Sequence, residues 1–199
     1  MCDTIEPRNI TVTKELLKRF PIHRNATSSE FVQHCWNSYR ENYASNNSLN
    51  GLIFENIIML ALARKGIDNI YFQTELTYVP SAIFDIFLYS EEAPVALSIK
   101  TTLRERWKQA DLEALAIKQV HKNTKCYVIT LAHSEVNARR RNDSTYAGLD
   151  GFILADTKEF DDLLEELSKL HFSVASSVPI VKTNDRRYTL NDMKRLFDF

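Results

Sequence analysis

Residues 83 to 101 read as two apolar, strand-like runs joined by a polar turn, and few folds accommodate what they carry. Ile83-Phe84-Asp85-Ile86-Phe87-Leu88-Tyr89-Ser90 is followed by Glu91-Glu92-Ala93-Pro94, then by Val95-Ala96-Leu97-Ser98-Ile99-Lys100-Thr101. A four-residue polar connection has the length of a β-hairpin loop. With Ser90 facing Val95, the register sets Asp85 directly opposite Lys100. Phe84, Ile86 and Leu88 then share one face and Asp85 lies on the other. Val95, Leu97 and Ile99 share a face, while Ser98 and Lys100 lie opposite. A carboxylate and an ammonium thus meet within a sheet whose strands are apolar enough to be buried. Desolvation cancels much of the attraction in such a pair, so the pattern points to function more than to stability.

The rest of the chain bounds the setting. Its 199 residues suffice for one α/β domain with a real core, and 44% hydrophobic with 26% charged residues describes a folded protein rather than a disordered one. No apolar run reaches the length of a membrane span and the polar start Met1-Cys2-Asp3-Thr4 is no signal peptide, so a cytoplasmic protein with no membrane partner is expected. Three scattered cysteines, Cys2, Cys35 and Cys126, form neither a disulfide framework nor a zinc spacing. A net charge of −1 argues against a non-specific nucleic-acid coat but permits positive charge concentrated in a cleft.

That charge is clustered. Lys100, Arg104, Arg106 and Lys108 follow the hairpin, then come Lys118, His121, Lys122 and Lys125, then Arg139-Arg140-Arg141, and finally Lys182, Arg186, Arg187, Lys194 and Arg195. Each cluster is read either as helix surface and loop tip or as one side of a cleft beyond a strand. The acidic stretch Glu159 to Glu166 reads as a solvated outer helix.

Periodicity predicts helices over Thr13 to Phe20, Ser28 to about Tyr43, Leu52 to Arg64, Arg104 to about His121, Lys158 to Leu170 and Thr189 to Phe197. It predicts strands over Asn69 to Val79, the two hairpin runs, Cys126 to Leu131 and Gly151 to Ala155. Asn46 to Gly51 reads as a loop, and Leu112, Leu115, Ala116 and Val120 as the core stripe of their helix. The order implies a mixed sheet between helices. Glu55 sits in a helix that is otherwise apolar nearly all round. A buried carboxylate there needs a cation, either an ion-pair partner or a metal.

An acid, a short gap, and a lysine across a hairpin together resemble the PD-(D/E)XK nuclease pattern. The usual second acid is absent, since the tripeptide is Ser98-Ile99-Lys100. That departure is similar to the EcoRII-like subgroup of restriction endonucleases, which cut sites with CC and GG halves. In that subgroup a Glu on the following helix, about a dozen residues after the lysine, supplies the acid, and Glu113 stands at that place here. Lys100-Thr101-Thr102-Leu103-Arg104-Glu105-Arg106-Trp107-Lys108-Gln109 resembles the subgroup's catalytic and recognition segment. Phe84 stands before Asp85 where many relatives have proline. The resemblance spans roughly residues 50 to 155, and relatives usually carry more N-terminal material, which leaves accessory recognition elements open.

The resemblance implies a restriction-endonuclease-like α/β fold, with an N-terminal helical part (1–45), a catalytic core (50–170) and a C-terminal extension (171–199). It implies Mg²⁺ held by Asp85 and Glu113, with Glu55 on a second ion or its waters, Lys100 on the scissile phosphate, and Ser98 supporting. Double-stranded DNA is the implied partner and a homodimer the implied assembly. Arg104, Glu105 and Arg106 would read G·C pairs, since guanidinium is bidentate to guanine and carboxylate accepts from cytosine N4. Lys108, Lys122, Arg139, Arg140 and Arg141 would bind DNA beside them. Plainer readings stand next to these: Glu113 as a helix-surface residue, Arg104 to Arg106 as a charged helix start, and Trp36, Tyr39, Tyr43 and Trp107 as packing rather than base-stacking groups. A repair nuclease or junction resolvase of the same fold, or a catalytically dead DNA-binding module, remain alternatives.

Overall fold

The computed structural model describes residues 6–44, 46–77, 79, 82–141, 146–175 and 186–199. Cys2 and Lys182 lie outside the described residues.

Helices α1 (Arg8–Arg19), α2 (Ser28–Asn42) and α3 (Asn47–Arg64) precede a meander of β1 (Ile70–Glu75), β2 (Ile83–Leu88) and β3 (Val95–Lys100). Then come α4 (Arg106–Val120), β4 (Lys125–Thr130), α5 (His133–Arg141), β5 (Gly151–Leu154), α6 (Lys158–Ser168), β6 (Arg187–Tyr188) and α7 (Leu190–Phe197). The strands form one six-stranded mixed sheet in the order β5-β4-β3-β2-β1-β6. β3, β4 and β5 run parallel, with α4 and α5 as the crossovers, and the other neighbours are antiparallel.

Helices cover both faces. On one, Ile86, Leu88, Val95, Leu97 and Ile99 of the sheet pack against α1, α2, α3, α6 and α7. On the other, Phe87, Ala96 and Val128 pack against Ala110, Ala114 and Ile117 of α4 and Val136 of α5. Central α3 is buried from Leu49 to Ala63 apart from Gly51 and Leu52, as a helix apolar all round must be.

Several expectations change. The hairpin register is Leu88 opposite Val95, not Ser90 opposite Val95, so Asp85 does not directly face Lys100. Both ends of the connection are held by other partners: Tyr89 O accepts from Ser173 N at 3.0 Å, and Pro94 O accepts from Lys125 N at 2.8 Å. The slip is by two residues, which preserves the faces of the paired residues, but Phe84 leaves the face of Ile86 and Leu88 and packs with Phe87 on the α4 side, because the alternation of β2 breaks at Asp85. Asn46 to Gly51 is not a loop but the cap and first turn of α3, with Asn46 Oδ1 accepting from Ser48 N and Leu49 N.

The core stripe of α4 is also different. Leu112 is 65% exposed, and Leu115 and Val120 are exposed as well, while the buried residues are Ala110, Ala114 and Ile117. Close approach of Gly148 accompanies the small residue at Ala114. The backbone of α4 lies so near Gly148 that a Cβ there would meet Leu115 N at 2.1 Å. Asp111 fixes the contact by accepting from Ala147, Gly148 and Leu149 N at 3.0, 2.9 and 2.9 Å. α5 and β6 went unread, the first because Val136 is its one buried residue and the second because it spans only a dipeptide. Residues 186–199 are integral to the core, supplying an edge strand beside β1 and burying Met193 and Phe197.

Candidate active site

The strands part where β2 begins and β3 ends. Their pairing stops at Ile86 opposite Leu97, although β2 extends back to Ile83 and β3 on to Lys100. On its other side β2 pairs with β1 at Ile86 and at Phe84, but Asp85 opposite Gln73 is skipped. Asp85 therefore sits in a gap in both ladders. Its Oδ2 accepts from Ile99 N at 2.7 Å and from Lys100 Nζ at 2.6 Å. The acid and the lysine meet as expected, diagonally instead of directly opposite, and both are largely buried.

Three more elements supply side chains to this gap. Glu55, 8% exposed on α3, accepts from Gln73 Nε2 at 3.0 Å, and the same nitrogen lies 3.3 Å from Asp85 Oδ1. Burial, reinforced by the Asp85 charge, pushes the Glu55 carboxyl from 4.5 to about 7, against the Gln73 hydrogen bond and the Lys100 and Arg106 charges. On α4, half-buried Glu113 accepts from Gln109 Nε2 at 2.8 Å. Burial pushes its carboxyl up, and it lies within the fields of both Lys100 and Asp85. Ser98 is buried on β3, two residues before Lys100 and so on the same face.

Gln73 was not among the residues singled out from sequence. In Ile70-Tyr71-Phe72-Gln73-Thr74-Glu75 it looks like any polar residue of a half-buried strand. Its backbone φ of 47° has no sequence signal either.

Among the described residues no three of His, Cys, Asp and Glu gather as a metal-holding group. The donors nonetheless suit a hard divalent cation. Glu55 and Glu113, pushed up by burial and further by the Asp85 charge, would be relieved by positive charge, and Mg²⁺ is usually held by one or two carboxylates with waters and substrate phosphates, not by a full protein cage.

Beyond Lys100 the chain turns through Arg104, whose φ is 39° and whose N–H donates to Glu135 Oε2 of α5 at 2.5 Å. Arg104, Glu105, Arg106 and Lys108 are exposed around the start of α4, with Glu105 paired to Lys108. The Arg106 charge reaches the Glu55 carboxyl and opposes its upward shift. Arg139 stacks over the Trp107 ring at 4.8 Å, on the same flank, and Arg141 is exposed. Arg140 is occupied by Glu159, at 2.8 and 2.9 Å, and by Phe152 O at 2.9 Å. Lys122 is not brought to the site. It precedes β4, whose first residue pairs with Val95, at the far end of β3 from Lys100. Trp36, Tyr39 and Tyr43 pack, with Trp36 against Phe54 and Tyr39 Oη donating to Asn50.

No family model, curated protein or solved structure matches this chain.

Proposed function

We propose that the chain is a Mg²⁺-dependent, site-specific DNA endonuclease with a restriction-endonuclease-like fold, acting as a homodimer at sites with GG and CC halves. The observation that carries the reading is the acid–lysine pair Asp85–Lys100, set where two ladders open and ringed by Glu55 and Glu113. A pairing made for stability would not also bring in two carboxylates that burial disfavours.

Asp85 and Glu113 would hold the cation, with Glu55 on a second ion or its waters. A bound Mg²⁺ would supply charge neutralisation at the phosphate and a more acidic water. Lys100 donates from Nζ to the scissile phosphate and orients the attacking water, whose oxygen bonds to phosphorus as the bond to the 3′ oxygen breaks. Ile99 N–H and Lys100 Nζ hold Asp85 in place. Glu135 fixes the turn from which Arg104 projects, so that Arg104, Glu105 and Arg106 meet base edges from an ordered backbone. Lys108 and Arg139 flank that segment and, with exposed Arg141, would contact phosphates.

Asp85→Ala and Glu113→Ala are each expected to abolish Mg²⁺-dependent cleavage while leaving binding of the uncut site in Ca²⁺ largely intact. Adding Ser98→Glu to Glu113→Ala should restore part of the rate, because position 98 projects on the face of Lys100. The rate of plasmid cleavage and a gel-shift titration measure the two properties. Near wild-type cleavage by Asp85→Ala would sink the assignment, and full activity of Glu113→Ala would remove the relocated acid.

A further inference from the structure

Two carboxylates on different elements, Glu55 on α3 and Asp85 on β2, meet at a shared donor position, with Lys100 on the other Asp85 oxygen. Gln73 on β1 occupies that place. One amide nitrogen carries two hydrogens, and here it lies 3.0 Å from Glu55 Oε2 and 3.3 Å from Asp85 Oδ1.

Ordinary strand geometry would not deliver it. Ile70 packs on the α3 face and Tyr71 on the other, so alternation assigns Gln73 to the face away from α3. A φ of 47° at Gln73 takes it out of the alternation, and the register on either side is unchanged. A left-handed backbone is uncommon for a residue with a Cβ and persists only where its surroundings enforce it. Arg186 does so, donating from Nη1 to Gln73 O at 2.9 Å while its own carbonyl accepts from Phe72 N at 2.9 Å.

We propose that Gln73 is a positioning residue of the metal site: its amide ties the Glu55 and Asp85 carboxylates together and sets the separation at which a divalent cation meets them. The inference rests on the nuclease reading above. A neutral amide suits the task. It donates to both carboxylates yet leaves their negative charge for the cation, where a lysine would compete with the metal and a third acid would add repulsion. Its own oxygen is also a ligand type that hard cations accept.

The test uses ¹⁵N-labelled full-length chain and Ca²⁺ as the probe. The Gln73 side-chain NH₂ signals, assigned by their loss in Gln73→Ala, should move in Glu55→Ala and again in Asp85→Ala. Half-saturation by Ca²⁺, read from backbone shifts, should need roughly tenfold more ion in Gln73→Ala, the scale on which supporting contacts tune metal sites. Gln73→Gly, which accepts a positive φ without strain, should match it and serves if the alanine variant folds poorly. DNA binding in EDTA should be unchanged, which a general loss of structure would not allow. Ca²⁺ affinity within twofold of wild type in both variants, with binding lost in Asp85→Ala, overturns the role of Gln73 alone. Absence of any Ca²⁺ response in the wild-type chain overturns the metal site and the nuclease reading with it.

Discussion

The Glu55 carboxyl titrates at about 7 because burial in α3 and the Asp85 charge both disfavour its ionised form. Between its ordinary value of 4.5 and about 7 the folded chain holds more protons at this site than the unfolded chain. Stability therefore falls as pH rises through that window, and the deficit is complete above it. Glu55→Gln should raise Tm at pH 8 in EDTA, with the gain shrinking toward pH 5. A Tm difference equal at both pH values would contradict the shift. At this scale the sequence was partly legible. Asp85, Lys100 and Glu55 were found because a charge in an apolar run stands out. Arg140 and Lys122 looked the same as their basic neighbours, and only tertiary placement separates them: the first is spent on Glu159, the second sits at the other end of β3.

Parity explains why the hairpin remained useful despite its wrong register. A two-residue slip leaves the paired residues on their faces, and although Phe84 changes face at the gap, the acid and the lysine still meet. What misplaced the register were contacts with Ser173 and Lys125, far along the chain. The helix α4 failed in the opposite way. Its largest apolar residues marked the solvent side, while Ala110 and Ala114 are the buried ones and the backbone at Ala114 is what Gly148 approaches. Close packing of backbone on backbone is written in small residues, which hydrophobic periodicity undercounts. Gly148→Ala should accordingly cost about 1–3 kcal/mol, the range for overpacking a site that cannot yield. Chemical denaturation measures it, and a loss below about 0.5 kcal/mol, as for an ordinary surface change, would show that the segment moves aside.

For the whole molecule, α/β class, a mixed sheet and helices on both faces followed from the order of elements, and the six-stranded topology agrees. The edge strand β6 and helix α5 were invisible, one too short and the other too polar to carry a periodic signal. Among the described residues no helix is long and apolar enough to cross a membrane. One chain carries one Asp85–Lys100 cluster and one Arg104-Glu105-Arg106 segment, so cutting both strands of a symmetric site calls for two copies related by a two-fold axis. Native mass measurement of the complex in Ca²⁺ should give two chains per duplex. One chain per duplex, with both strands cut in Mg²⁺, would contradict the dimer.

The nuclease assignment is tested most directly by digesting DNA of known sequence with the purified chain and Mg²⁺ and sequencing every new end. All ends should fall at one short site with GG and CC halves, and changing a G·C pair in it should cost about 1–3 kcal/mol of discrimination. Ends scattered without a common sequence, or no Mg²⁺-dependent ends at all, would contradict it.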